Sequence, residues 1–132
     1  MSLGKKKKLL IFIISYKASF RIKDVFKKIP FKKLNTYNTN VLISDDCSKD
    51  DTISFAKQIK KRNKNVILNE NKFNLGYGAH IKKCLNYALN HNYNYAVMIH
   101  GDGQFNPKYI PSLLSKFKNK KVSASTGSRI LS

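Results

Sequence analysis

Val41-Leu42-Ile43-Ser44-Asp45-Asp46-Cys47-Ser48-Lys49-Asp50-Asp51-Thr52 is the stretch that decides the fold. Val41–Ser44 is an apolar run of strand length that ends on two adjacent carboxylates. Asp50-Asp51-Thr52 then opens a helical pattern reaching about Arg62, with the acids near its first turn, where the helix dipole favours them. Two adjacent carboxylates are costly to bury together, so one of them is expected to face a crevice at the strand end. Taken alone, the stretch reads equally well as a turn followed by a helix cap, with Ser48 and Asp50 as the capping candidates.

The same alternation extends in both directions. Leu9–Tyr16 is a continuous apolar strand. Ile22, Val25, Phe26 and Ile29 follow at helical spacing and stop at Pro30, and 32–40 is polar and loop-like. Asn65–Leu68 is a short third strand, 69–78 a loop rich in Asn and Gly, and Ala79–Asn90 a helix carrying Ile81, Leu85, Ala88 and Leu89 on one face. Tyr95–Ile99 is a fourth strand that closes on His100-Gly101-Asp102. Pro107 starts a further helix through about Phe117, and Val122–Gly127 reads as a fifth strand. Strands alternating with helices imply an α/β fold, a mostly parallel sheet with helices on both faces. Ligands of such sheets bind at the carboxyl ends of the strands, where Asp45, Asp46 and Asp102 fall.

A length of 132 residues with 42% hydrophobic residues suits one globular domain. It divides into a basic segment, 1–8, and a domain, 9–132. The formal net charge is +19, which raises the question of nucleic acid. Lys outnumbers Arg by 23 to 3, there are fourteen Asn, and the lysines are scattered along the chain. Arg is the residue that forks onto phosphate and stacks on bases, so no nucleic-acid partner is expected. Acids number only seven, so their gathering at 45–51 is informative. Cys47 and Cys84 match no metal or redox spacing and suggest a reducing compartment. Lys5–Lys8 before Leu9–Ile14 imitates a signal peptide, but the apolar run is too short for one and far too short for a membrane span.

Two other segments carry chemistry. His100-Gly101-Asp102-Gly103-Gln104 delivers a carboxylate between glycines, which suits either a tight turn or a divalent cation beside a diphosphate. His100 adds an imidazole nitrogen, which favours Mn2+ over Mg2+. Asn74-Leu75-Gly76-Tyr77-Gly78-Ala79 opens a helix whose backbone N–H groups suit an anion. It is a poor match to a dinucleotide fingerprint, with Ile81 where the third Gly belongs, and an ordinary helix start explains it as well.

In order and spacing, these segments resemble the signatures of the family 2 glycosyltransferases. The resemblance runs through Asp45-Asp46-x-Ser48-x-Asp50, Asn74-x-Gly76-x-Gly78, His100-Gly101-Asp102-Gly103-Gln104 and Thr126-Gly127-Ser128-Arg129. It covers Leu9 to Arg129 and leans toward the dolichol-phosphate mannosyltransferase-like branch. It implies a GT-A, Rossmann-like nucleotide-binding fold, a nucleoside-diphosphate sugar, a divalent cation (Mn2+ or Mg2+) and inversion at the anomeric carbon. By that resemblance Tyr16 lies near the base, Asp45 takes the base or ribose with Ile43 lining that pocket, and Asp46 belongs to the donor site. Asp102 binds the metal with His100 beside it, and Gly101, Gln104 and Arg129 sit by the phosphates or sugar. The implied acceptor is a polyprenyl phosphate or a glycan of the cell envelope. The implied setting is cytoplasmic, with peripheral association at the inner face of the membrane.

There are three departures from the family pattern. Its usual Pro-x-Tyr-Asn-Glu at the end of the first strand is here Ile14-Ser15-Tyr16-Lys17-Ala18, without the acid. His100 stands for the first Asp of Asp-x-Asp. The acceptor half and its catalytic base are expected beyond Ser132, so donor binding is expected of this chain more than turnover. Two other readings fit less well. A receiver-type signalling domain would carry its acidic pair after the first strand, and a basic nucleic-acid module would show a recognisable motif.

Overall fold

In the computed structural model of the protein, residues 4–126 are described. Four strands, β1 (Lys7–Ser15), β2 (Tyr37–Asp45), β3 (Val66–Glu70) and β4 (Tyr95–His100), form one sheet in the order β3-β2-β1-β4. Every pairing is parallel. Among the described residues four α-helices flank it: α1 (Ile22–Lys27), α2 (Thr52–Arg62), α3 (Tyr77–Asn90) and α4 (Ile110–Ser115).

β1 is central and apolar on both faces, as a strand buried on both sides of a parallel sheet must be. Leu9, Ile11 and Ile13 point to the face covered by α1, α2 and α4, and pack with Val25, Ala56 and Ile110. Leu10, Phe12 and Ile14 point to the other face, covered by α3, and pack with Leu42, Cys84 and Ala88. Each such buried side chain contributes about 1.5–3 kcal/mol, so the β1 run anchors both layers. Helices therefore lie on both faces, as expected from the alternation.

The register brings the strand ends level. Ser15 pairs with Asp45, Asp45 with Glu70, and Ile14 with His100. The carboxyl edge of the sheet is thus one rim that carries the acids of β2 beside the turn that follows β4.

The structure differs from the sequence expectations in four places. β2 starts at Tyr37, because the polar Tyr37–Asn40 pairs with Lys7–Leu10 of β1, and Phe31–Leu34 ahead of it is a 3-10 turn. The helical span from Pro107 is broken into a 3-10 turn, α4 and a second 3-10 turn. Pro111 stands at its start without an N–H to donate. Among the described residues 122–126 contain no strand. That run offers one large apolar side chain, Val122, and little area to bury; Gly127 lies outside the described residues. Finally, α3 buries His80, Cys84 and Ala88, while Leu85 and Leu89 are exposed. Of the expected face Ile81, Leu85, Ala88 and Leu89, Ala88 is buried and Ile81 half-buried against the core, whereas the inner face swings toward His80 and Cys84 and away from Leu85 and Leu89. The carbon-poor His80 is inside because Ser44 of β2 meets it there.

Candidate functional site: a crevice at the carboxyl ends of the strands

Asp45 and Asp46 are neighbours whose side chains go to opposite sides of the sheet. Asp45 is fully buried at the end of β2. Its carboxylate accepts the Ser48 N–H at 2.9 Å and a short hydrogen bond from the Ser48 hydroxyl. Burial raises its pKa above the usual carboxylate value, opposed by the two bonds from Ser48. Asp46 turns toward α3. Its carboxylate accepts from the Leu75 N–H at 2.7 Å, the Gly76 N–H at 3.0 Å and the Asn71 amide at 3.0 Å. Burial pushes its pKa up, but these donors, with Leu75 foremost, bring it below the usual value.

Ser48 does not cap α2. Its Oγ accepts the Lys17 N–H at 2.8 Å, and so ties the loop after β1 to the loop after β2. The N-cap is Asp51, which makes no side-chain cap bond; Asp50, one residue earlier, accepts through Oδ1 from the Thr52 N–H at 2.9 Å and from its Oγ1 at 2.5 Å. The Thr52 hydroxyl in turn accepts the Ala18 N–H at 2.9 Å. Burial pushes the Asp50 carboxyl up, yet the Thr52 bonds and the Lys17 charge hold it below its ordinary value.

These two linked loops and the loop after β3 enclose a cleft. Tyr16, Lys17, Cys47, Ser48, Lys49, Asp50, Lys72, Phe73 and Asn74 line it. Tyr16 and Phe73 present exposed rings, and Lys17, Lys49 and Lys72 are exposed cations around them. Lys17, Cys47 and Lys49 all have φ between 52° and 62°, in the left-handed region. Non-glycine residues visit that region at a cost, and such strain gathers at ligand sites.

Asp102 lies past the end of β4 in the turn 101–105 and is exposed. One carboxylate oxygen accepts the Gln104 N–H at 3.0 Å, and the side chain makes no ion pair among the described residues. Gly103 (φ 82°) makes the turn possible. Gly101 is buried, and its N–H donates to Ile14 O at 2.9 Å. A side chain there would collide with Ser15, Ala18 and Ile22, so the missing side chain serves packing. His100 points to the α3 side, where its Nε2 lies 3.1 Å from the Tyr77 hydroxyl.

The carboxyl edge thus carries Tyr16, Asp45, Asp46, His100, Gly101, Asp102 and Gln104, but of these only Tyr16 lines the cleft. Asp45 and Asp46 are both buried on protein donors, so neither carboxylate faces the crevice, contrary to the expectation from the sequence. Nor does Ile43 reach the cleft surface: that side chain is fully buried in the core with Ile13 and Val41. Arg129 lies outside the described residues. Sequence reasoning missed a buried polar chain behind the rim. His80 Nε2 is 2.6 Å from Ser44 Oγ, which accepts from Asn69 at 2.9 Å. Asn71 Oδ1 accepts from Asn69 at 2.9 Å and from Lys83 at 2.7 Å, and Asn71 donates on to Asp46. Burial holds His80 below the usual imidazole value despite the carboxylates of Asp46 and Asp45, and Lys83 adds to the lowering. The signal in the sequence was the spacing His80–Cys84–Ala88, which marks one helix face.

The donor types at the end of β4, a carboxylate and an imidazole, are compatible with a divalent cation. Among the described residues no group of three or more His, Cys, Asp or Glu forms a cation cage. Asp102 is an exposed carboxylate with no ion pair among the described residues, two positions along the chain from the His100 imidazole, and these donor types leave the remaining positions of a cation to phosphate oxygens and water. No helix among the described residues is long and apolar enough to cross a membrane.

Residues 10–132 match the model of the family described as Glycosyl transferase family 2. An uncharacterized protein of Methanocaldococcus jannaschii is 35% identical over 109 residues, covering 81% of this chain and 47% of its own. The chain thus spans about half the length of that relative. The mannosyltransferase PcManGT of Pyrobaculum calidifontis, solved with GDP-Man and Mn2+, is similar with a TM-score of 0.72 at 13% identity, over 89% of this chain and 34% of that one. TarS of S. aureus, residues 1–349 with UDP-GlcNAc, is similar with a TM-score of 0.63 at 22% identity, over 86% of this chain and 31% of that one. At these identities the structural likenesses show the fold, a parallel sheet of the GT-A glycosyltransferase type. On the family match and the shared fold, the chain belongs to glycosyl transferase family 2.

Proposed function

We propose that the carboxyl-edge crevice binds the donor of a sugar transfer, a nucleoside-diphosphate sugar, in an inverting and cation-assisted reaction. The observation that carries this reading is the rim itself. Two exposed rings, Tyr16 and Phe73, and three lysines line one cleft, and an exposed carboxylate, Asp102, stands at the end of β4 on the same rim. Flat apolar faces ringed by cations suit a base joined to phosphates.

In this reading Tyr16 and Phe73 face the base, and Lys17, Lys49 and Lys72 draw in and orient the diphosphate. Asp45 and Asp46 act from behind. Both carboxylates are taken up by protein donors, so they hold the loops in place and keep the strained backbone of Cys47 and Lys49 in its shape. Asp102 would hold the cation, with His100 beside it. A bound cation would supply Lewis-acid stabilisation of the negative charge that grows on a leaving diphosphate. Glycosyltransferases solved with GDP-Man and Mn2+, and with UDP-GlcNAc, share this fold. The acceptor in this reading is a polyprenyl phosphate or a glycan. The net charge of +19 favours approach to an anionic membrane face.

Thermal melts with UDP, GDP, CDP and ADP, each with Mn2+, Mg2+ or chelator, test this reading. A ligand at a hundred times its dissociation constant adds about 2.7 kcal/mol of stability. One diphosphate should raise the melting temperature only with cation, and Asp102→Asn should remove the effect. A chain that no nucleotide stabilises under any cation is not a donor-binding protein.

A further inference from the structure

Tyr77 is the first residue of α3, and its ring is exposed, so packing does not hold it. Its position is set by polar contacts instead. Asp46 grips the Leu75 and Gly76 N–H groups, Gly76 turns the chain with φ 84°, and the His80 N–H closes the first helical turn on Gly76 O at 3.0 Å. That chain of contacts delivers the Tyr77 hydroxyl to His100 Nε2 at 3.1 Å, with the rings edge-on at 5.6 Å between centroids. His100 is two residues from Asp102, on the strand that ends at the crevice.

We propose that Tyr77 is the positioning residue of the cation site: it takes up Nε2 of His100, leaving Nδ1 as the ring nitrogen open to a divalent cation shared with Asp102. This rests on the donor-site reading above. An imidazole can offer a lone pair from only one nitrogen while the other carries the proton. A ligating histidine holds its orientation by donating that other N–H to an outer partner, and the Tyr77 oxygen is placed to accept it. This arrangement requires the Nε2–H tautomer of His100. The nitrogen offered to the cation then depends on a residue of α3.

Two readouts on the full chain test this. The first is the long-range 1H–15N correlation of the imidazoles at about pH 9, well above the usual imidazole value. His91 serves as the internal reference, because its Nδ1 lies 2.9 Å from Tyr87 O, an atom that can only accept. His91 should show Nδ1–H and His100 the opposite tautomer, and Tyr77→Phe should shift His100 toward a mixture. The second is Mn2+ binding in the presence of inorganic pyrophosphate, followed by paramagnetic broadening. Tyr77→Phe should weaken it about 10-fold, His100→Gln at least as much, and Asp102→Asn should abolish it. An Nδ1–H tautomer for His100, an unmoved His100 signal in Tyr77→Phe, or unchanged Mn2+ affinity in that variant overturns the proposal. Neither readout uses a nucleoside, so failure of every nucleotide to bind would sink the donor reading separately.

Discussion

Ser15 Oγ lies 2.7 Å from the point where a side chain on Gly101 would begin. Ser15 is fully buried, and its hydroxyl has no hydrogen-bond partner among the described residues. The two residues close β1 against the turn that carries Asp102, so the rim depends on a close backbone approach. Gly101→Ala should destabilise the fold by about 1–3 kcal/mol, the usual range for overpacking. Ser15→Ala removes an unpaired buried hydroxyl and should be near neutral. In the Ser15→Ala background the Gly101→Ala penalty should shrink by about 1 kcal/mol, a coupling that urea denaturation of the double-mutant cycle measures. Simple additivity would mean that the two do not meet.

Lys17 adopts φ 52° while its N–H is held by Ser48. A side chain in this region costs about 1–2 kcal/mol, which a glycine avoids at the expense of some chain entropy. Lys17→Gly should therefore raise stability by about 0.5–1 kcal/mol in chemical denaturation. The same variant should bind anionic ligands more weakly and with a shallower dependence on salt, because it removes one cation of the cleft. A drop in stability would show that the loop does not hold Lys17 in this conformation.

Asp46 carries three hydrogen bonds from Leu75, Gly76 and Asn71. Asp46→Ala should destabilise the protein by about 2–4 kcal/mol, since it leaves buried donors unpaired. Amide exchange at Leu75 and Gly76 should accelerate in Asp46→Asn, which keeps the shape and loses the charge. Unchanged exchange at both amides would contradict the assignment of Asp46 to the start of α3.

Burial holds His80 below its ordinary imidazole value of 6.5, with Asp46 and Asp45 pulling the other way and Lys83 adding to the lowering. Between its folded value and 6.5 the unfolded chain binds a proton that the folded chain does not. Stability from this site is therefore present above about pH 6.5 and falls as the pH drops below it. The melting temperature of the wild type should decline with acidification in that window, before the carboxylates titrate. His80→Gln, which can still bond Ser44, should flatten that limb. A variant with the same acid profile as the wild type would show that His80 is not the group responsible.

The parts of this fold that depend on local pattern were legible in the sequence. β1 is an unbroken apolar run, the acids mark the ends of β2 and β4, and Asp50-Asp51-Thr52 marks the start of α2. What was not legible depends on partners distant in the chain. Tyr37–Asn40 is polar and becomes strand only because Lys7–Leu10 lies alongside it. The spacing His80–Cys84–Ala88 hints at a helix face, but what holds His80 inside is Ser44, thirty-six residues away. Ile43 was expected in the pocket wall, yet the pleat sends it to the core while Asp45, two residues on, closes onto Ser48. The crevice lining also includes Phe73 and Lys72 from the loop after β3, which no periodicity could assign to the end of β1.

Cys47 lines the crevice, half-buried with its Sγ 3.6 Å from Lys72 O, whereas Cys84 is buried beneath α3. The rate of Cys47 alkylation therefore reports directly on occupancy of the proposed donor site, with Cys84 as the internal control for unfolding. A nucleoside diphosphate with Mn2+ should slow Cys47 modification several-fold, chelator should restore the free rate, and Asp102→Asn should show no protection. If saturating nucleoside diphosphate and cation stabilise the chain yet leave the Cys47 rate unchanged, the ligand binds elsewhere and the crevice is not the donor site.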